Sequence, residues 1–237
     1  MTKLSVNINK IATIRNARGG NIPNVTEAAI KCQQYGAQGI TVHPRPDERH
    51  IRYQDVREIR PVITTEFNIE GYPSQRFLDL VMEVKPHQAT LVPDSHDVIT
   101  SNQGWNVIKY EKFLRDVITE LKRHGIRTSL FIETDLEQIE RASATGTNRI
   151  ELYTEPYATK YPMDPDNAVA PYIRAARKAA ELGLELNAGH DLSLKNLKYF
   201  KQHIPGLLEV SIGHALISDA LYFGLEKTTH LYLEQIA

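Results

Sequence analysis

Leu4-Ser5-Val6-Asn7-Ile8-Asn9 and Gly39-Ile40-Thr41-Val42-His43 decide the fold between them. Each is a short apolar run that delivers a polar side chain at its end and then gives way to a helix-like stretch. Six more runs repeat the pattern. Phe67-Asn68-Ile69-Glu70 ends on Glu70, Arg149-Ile150-Glu151-Leu152-Tyr153 carries Glu151, Leu184-Glu185-Leu186-Asn187 leads to His190, and Leu207-Leu208-Glu209-Val210-Ser211-Ile212 leads to Gly213-His214. Ala89-Thr90-Leu91-Val92 and Thr128-Ser129-Leu130-Phe131-Ile132 complete the set. Strands alternating with helices predict βαβ units with right-handed crossovers. An open doubly wound sheet shares this pattern, but it gathers its ligand at one switch point. Here reactive residues end strands along the whole chain. The reading is therefore an α/β protein, a (β/α)8 TIM barrel with its chemistry at the carboxyl-terminal mouth.

Helix signals separate the runs. Asn24 is placed to cap a helix, Glu27 sits three residues on as in a capping box, and Val25, Ala28, Ala29, Cys32 and Tyr35 recur at helical spacing before Gly36. Leu114, Val117, Ile118 and Leu121 before Gly125 repeat that grammar, as do Leu136, Ile139 and Ala142 behind Asp135. The segment from Phe223 to Ala237 reads as an extra helix. Two connections are longer than the rest. Pro93 to Tyr110, which holds the only tryptophan, Trp105, is predicted to be a lid after the fourth strand. Glu155 to Asp166, with Tyr157 and Tyr161, either borders the site or forms an oligomer contact.

A chain of 237 residues is close to the roughly 250 typical of such a barrel, so one domain spanning 1–237 is expected. A formal net charge of −1 gives no global attraction to nucleic acid or to acidic lipid, so any anion site must be local. No apolar stretch nears the roughly 20 residues needed to cross a bilayer. Met1-Thr2-Lys3-Leu4 enters a strand directly, without the apolar segment of a signal peptide. The one cysteine, Cys32, excludes an internal disulfide and fits a buried helix position. A cytoplasmic protein is expected.

Two ends of the mouth look suited to anions. Ile212-Gly213-His214-Ala215 turns straight into a helix, where free N–H groups and the helix dipole favour negative charge, and Asn187-Ala188-Gly189-His190 suggests the same one strand earlier. On the opposite side, Arg15, Arg18, Arg45, Arg49 and Arg52 cluster after strands one and two, with Arg18 expected in a flexible Gly-rich loop, Arg15 to Gly20, able to fold over a ligand. Between these ends lie His43, Glu70, Glu151, His190 and His214, groups able to exchange protons near neutrality. Alternation along Thr65-Glu66-Phe67-Asn68-Ile69-Glu70 points Glu66, Asn68 and Glu70 the same way, into the barrel. An inward carboxylate must be paired or functional, and for Glu70 the bland alternative is a salt bridge to an inner Arg or Lys.

The pattern resembles the pyridoxine 5′-phosphate synthase family. The likeness runs through Val6 to Asn9, Ile11 to Gly19, Gly39 to Arg45, Arg49-His50-Ile51, Asn68-Ile69-Glu70, Leu91-Val92-Pro93, Ile150-Glu151-Leu152, Leu186 to His190 and Ile212 to Ala215. It covers essentially the whole chain, in order. The resemblance implies a barrel condensing 1-deoxy-D-xylulose 5-phosphate with 3-amino-2-oxopropyl phosphate, without metal or organic cofactor. By position, His43 and Glu70 match the family's proton acceptors and His190 its proton donor. Asn7, Arg18, Asp191, Gly213 and His214 match contacts to the amino-ketone phosphate, and Arg45, His50 and Thr100 match contacts to the sugar phosphate. A homo-octamer built from dimers is also implied. Two departures stand out: many members carry an Asp-His pair where this chain has Asn9-Lys10, and glycine where it has Asp191.

Two rivals compete with that reading. A metal-dependent isomerase or hydrolase would use His43, Glu70, Glu151, His190 and Asp191 as ligands. A phosphometabolite-binding barrel without turnover would be signalled only by Asn9-Lys10.

Overall fold

In a closed sheet, alternation sends every second side chain inward and the others against the surrounding helices. A computed structural model describes residues 1–93 and 103–237, and it realises that arrangement with eight parallel strands. They are β1 (Lys3–Asn7), β2 (Gly39–Val42), β3 (Glu66–Gly71), β4 (Gln88–Leu91), β5 (Arg127–Ile132), β6 (Arg149–Tyr153), β7 (Glu185–Gly189) and β8 (Leu207–Ile212). Each pairs with its sequence neighbours, and β1 closes the ring on β8 with Leu4 opposite Val210. The expected (β/α)8 barrel is the fold.

Around it run α1 (Asn9–Arg18), α2 (Val25–Gln34), α3 (Tyr53–Ile59), α4 (Gln75–Val84), α5 (Val107–Arg123), α6 (Leu136–Ala144), α7 (Glu155–Lys160), α8 (Pro165–Glu181), α9 (Leu197–His203), α10 (His214–Phe223) and α11 (Leu225–Ile236). Asn24 caps α2 as its sequence suggests, accepting the Glu27 N–H at 2.8 Å. The main apolar core lies between sheet and helices: Leu4, Val6, Ile40, Val42, Phe67 and Ile69 are fully buried there, as is Cys32.

The barrel interior departs from the branched apolar filling usual in this class. Ser5 bonds Thr41 at 2.7 Å, Thr90 donates to Asn68 at 3.0 Å, and Arg127 donates to Gln88 at 3.0 Å. At the amino-terminal end Glu66 pairs with Arg127 and Arg149. An inner salt bridge of the kind considered for Glu70 is made by Glu66, two alternations below it.

Other expectations need correction. Arg15 to Arg18 are the last turn of α1 rather than a flexible loop, and only Gly19-Gly20 extend beyond it. The helix escaped notice because it buries just Ala12 and Arg15 and so lacks an apolar stripe. The extra helix expected over Phe223 to Ala237 is present as α11, set off from α10 by Gly224. No helix starts at Gly189-His190, since α9 begins only at Leu197. The long segment after β6 is not a loop: α7 sends Tyr157 into the core, where its hydroxyl donates to the Asn196 carbonyl at 2.8 Å. Half of the proposed lid, residues 94–102, lies outside the described residues. Its described end is anchored, because buried Trp105 donates its ring N–H to the Leu91 carbonyl at 2.9 Å.

Candidate active site

Because all eight strands run parallel, their carboxyl ends share one mouth, and the residues just past those ends converge. A cavity of about 360 Å³ opens there, lined by Asn7, Asn9 and Lys10 from the β1 end, His43, Arg45 and His50 after β2, and Glu70 on β3. Glu151 on β6, His190 and Asp191 after β7, and Ser211, Gly213 and His214 at the β8 end close the ring. Twelve residues singled out from sequence therefore face one space. Arg18 does not line it; it stands exposed at the carboxyl end of α1. Thr100 lies outside the described residues.

Asn7 at the end of β1 and Asn9 at the start of α1 set the geometry. Asn7 Oδ1 accepts the backbone N–H of Asn9 at 3.0 Å, and Asn9 Oδ1 accepts the backbone N–H of His43 at 2.9 Å. Asn7 Nδ2 reaches Glu70 Oε2 at 3.4 Å, and the same oxygen lies 3.9 Å from His43 Nδ1. Strands one, two and three are thereby tied together at their ends.

Burial and neighbouring cations decide the charge states. His43 is pushed well below the usual imidazole value, first by desolvation and then by Arg45, His50 and Arg49, so it is neutral at physiological pH. His50 is lowered to about 4, again mainly by burial, with Arg45 and Lys10 adding to the effect. Its Nδ1 accepts the Ile51 N–H at 2.9 Å, which places the proton of the neutral ring on Nε2. His50 is thus a neutral donor. Glu151 is driven the other way: burial, and then the carboxylates of Glu70 and Glu209, raise it well above the ordinary carboxylate range. Its Oε2 is buried without a hydrogen-bond partner in the protein. A protonated Glu151 beside an ionisable Glu70 gives the cavity one acid and one base of the same chemical type.

Two glycines make room for these groups. A Cβ at Gly189 would lie 2.5 Å from Glu151 Oε1 and 2.9 Å from the Ser211 carbonyl, and one at Gly213 would lie 3.1 Å from the Asn7 side chain. Gly213 directly precedes α10, so the first N–H groups of that helix lie at the cavity wall, where they suit phosphate.

The arginine cluster divides by task. Arg45 is buried and lines the cavity. Arg15 is locked by Asp55 at 2.6 and 2.9 Å and donates to the His50 carbonyl at 3.1 Å. Arg49 is engaged by Asp47 at 2.6 Å and Arg52 by Asn16 at 3.0 Å. Asn16 in turn donates to the carbonyls of Glu48, Arg49 and His50. Arg15 and Asn16 are therefore scaffolding for the loop that carries His50, a task not visible in the sequence because Asp55 lies 40 residues away. Sequence reasoning also passed over Ser211, Val92 and Phe131 in the cavity wall. Alternation two residues ahead of Gly213 marks Ser211 as inward. Among the described residues, no group of three or more His, Cys, Asp or Glu side chains is arranged to hold a metal ion.

Comparison with known proteins places this geometry in context. The family described as "Pyridoxal phosphate biosynthesis protein PdxJ" matches residues 4–237. A pyridoxine 5′-phosphate synthase of Flavobacterium johnsoniae is 60% identical over 236 residues, covering 100% of both chains. One from Bacteroides fragilis is 64% identical over 232 residues, covering 98% of each. Among solved structures, phosphoribosylanthranilate isomerase of Thermotoga maritima superposes with a TM-score of 0.61 at 12% identity, covering 100% of this chain and 98% of that one. Thiamine phosphate pyrophosphorylase of Pyrococcus furiosus gives 0.64 at 12% identity, covering 99% and 95%. At such identities these two structures speak for the barrel alone.

Proposed function

We infer the activity from the premise that this chain belongs to the pyridoxal phosphate biosynthesis protein PdxJ family, as the match over residues 4–237 shows. It is a pyridoxine 5′-phosphate synthase, an enzyme of vitamin B6 biosynthesis. Its substrates are 1-deoxy-D-xylulose 5-phosphate and 3-amino-2-oxopropyl phosphate, and its products pyridoxine 5′-phosphate, inorganic phosphate and water. The observation that carries this reading is the convergence of His43, Glu70, Glu151, His190 and the Gly213–His214 turn on one cavity.

Each group has a task that its surroundings support. Joining an amine to a ketone and closing an aromatic ring requires protons to be removed from nitrogen and carbon and delivered to departing oxygens. His43, kept neutral by burial and by Arg45, has a lone pair to accept a proton at neutral pH. Glu70 is the second base, oriented by Asn7. Glu151, held protonated, donates a hydrogen bond to oxygens that gain charge, and His190 returns a proton to the leaving group. The amino-ketone phosphate sits at the start of α10, reached by Asn7, Gly213 and His214, with Arg18 joining from outside the present wall. The sugar phosphate sits across the mouth with Arg45, the neutral His50 donor, Thr100, Asn9 and Lys10. Lys10 is exposed at the rim and supplies positive charge on that side.

The chain is read as one domain over 1–237, acting in the cytoplasm as a homo-octamer built from dimers. Self-association is supported by the exposed apolar end of α10, where Leu221 and Tyr222 are 71% and 86% exposed. No helix among the described residues is long and apolar enough to cross a membrane.

Incubating the purified chain with both substrates tests the reading. Equal amounts of pyridoxine 5′-phosphate, followed by its ultraviolet absorption, and of inorganic phosphate are expected, with the rate unchanged by a chelator. No pyridine product, or turnover that disappears on chelation, would overturn it in favour of a binding barrel or a metal enzyme.

A further inference from the structure

We propose that Asp191 is a positioning residue that holds the proton of neutral His190 on Nδ1, acting on the reaction through that imidazole rather than by touching substrate. The proposal rests on the reading of His190 as an acid–base group. Glycine at this place, common in the family resembled, offers no such control.

The geometry is built into the end of β7. Side chains of consecutive residues in an extended strand point to opposite faces, so neighbours do not ordinarily bond. His190 adopts φ 94, a backbone conformation rare for a residue with a Cβ, and the chain turns there. The turn brings Asp191 Oδ2 to 2.5 Å from His190 Nδ1. Three further bonds fix the turn. The Asp191 N–H donates to Thr154 Oγ1 at 3.2 Å, that hydroxyl donates to the Gly189 carbonyl at 2.7 Å, and Asn196 Nδ2 donates to the Asp191 carbonyl at 3.3 Å. The ring of Tyr153 meets the imidazole edge to face at 5.3 Å, limiting its rotation. A strained residue held from several sides at a cavity wall is where positioning is expected.

The chemical consequence follows from what a carboxylate can do. Ionised, it only accepts hydrogen bonds, so the imidazole nitrogen it touches must carry the hydrogen. Neutral His190 therefore bears its proton on Nδ1 and its lone pair on Nε2, and the proton it gains and gives away during turnover is the one on Nε2. The same contact explains how a carboxylate is tolerated beside a phosphate-binding turn. Asp191 Oδ2 is engaged by the imidazole, so that oxygen faces an N–H and not a phosphate dianion.

Nitrogen-15 NMR of the histidine rings tests this without substrate, so its outcome is independent of whether the chain is a synthase. The His190 signals are identified by their loss in His190→Gln. In the wild-type chain at neutral pH, the shifts of a ring protonated on Nδ1 are expected. Asp191→Gly should remove that preference, and Asp191→Asn, nearly the same shape but able to donate, should move the proton to Nε2. A wild-type ring protonated on Nε2, or one whose tautomer is indifferent to both substitutions, would overturn the proposal. Kinetics give a second arm. Asp191→Gly should lower kcat roughly ten- to hundredfold with KM for the amino-ketone phosphate nearly constant, part of the loss expected when an acid–base group is misoriented. In a His190→Gln background the same substitution should cost nothing further. A raised KM with kcat unchanged, or a cost that persists in that background, would instead assign Asp191 to direct substrate contact.

Discussion

Asn9 Oδ1 accepts the backbone N–H of His43 at 2.9 Å, fastening the first residue of α1 to the residue that follows β2. The bond needs an acceptor, not a charge. Asparagine supplies that acceptor without adding a negative charge to the cavity wall, as aspartate would. Asn9→Asp should therefore retain kcat within about threefold, whereas Asn9→Leu leaves a buried N–H unpaired and should destabilise by about 1–3 kcal/mol. Urea denaturation and steady-state kinetics on both variants check this. Equal effects of the two substitutions would show that the hydrogen bond is unimportant.

Gly189 and Gly213 offer a graded comparison. A methyl group at Gly189 would collide with the Glu151 carboxyl at 2.5 Å and with the Ser211 carbonyl at 2.9 Å, and that backbone cannot swing aside as a side chain can. At Gly213 it meets the Asn7 side chain at 3.1 Å and the Asn7 carbonyl at 3.2 Å, contacts that a shift of a few tenths of an ångström relieves. Gly189→Ala should cost about 1–3 kcal/mol of stability together with most of the activity, and Gly213→Ala clearly less stability. Thermal unfolding of the pair decides it; the reverse order would mean that the two walls have been misjudged.

Arg15 and Asp55 form a pair with side chains 1% and 9% exposed, and Asp55 also accepts the Arg52 N–H at 2.7 Å at the start of α3. Removing the carboxylate strands a buried guanidinium and loosens the His50 loop. Asp55→Ala should therefore destabilise by about 3–5 kcal/mol. It should also raise KM for the sugar phosphate more than for the amino-ketone phosphate. A loss below about 1 kcal/mol on chemical denaturation, the range of an exposed pair, would refute the structural assignment.

The pH dependence of stability follows from the suppressed histidines. His50 titrates at about 4 in the folded chain, mainly because it is buried, against about 6.5 when unfolded. Between those values the unfolded chain binds the extra proton, so this residue makes stability fall as pH falls. His43 acts in the same sense, while Glu151 and Glu209, raised by burial, act in the opposite one and weaken the fold as pH rises above the usual carboxylate value. His50→Gln should thus gain stability relative to wild type as pH drops from about 6.5 towards 4, at a rate approaching about 1.4 kcal/mol per unit. Denaturation curves at pH 7, 6 and 5 measure it. A difference that stays constant with pH would rule the account out.

Much of the architecture was legible because its signals are local. Period-two alternation ending on reactive residues announced the barrel, and Asn24 with Glu27 announced the start of α2. The mouth was legible too, since parallel strands must bring Asn7, His43, Glu70, Glu151 and Gly213 together once the sheet closes. What escaped was set by contacts distant in sequence. α1 has no apolar stripe, and its buried Arg15 makes sense only with Asp55 in view. The polar interior escaped as well, because each inner Thr, Asn or Gln looks solvent-bound until its partner on the next strand is known. The helix expected after Gly189 was displaced by the turn at His190.

The central claim is that the groups around this one cavity carry out the proton transfers. Its most direct test is Glu70→Gln, which preserves shape and the contact with Asn7 while removing the base. The turnover rate should fall by roughly 10²–10⁴, with the dissociation constants of both phosphorylated substrates, measured by calorimetry, changed by less than about threefold. A variant that turns over at the wild-type rate, or whose entire loss appears as weaker binding, would contradict it.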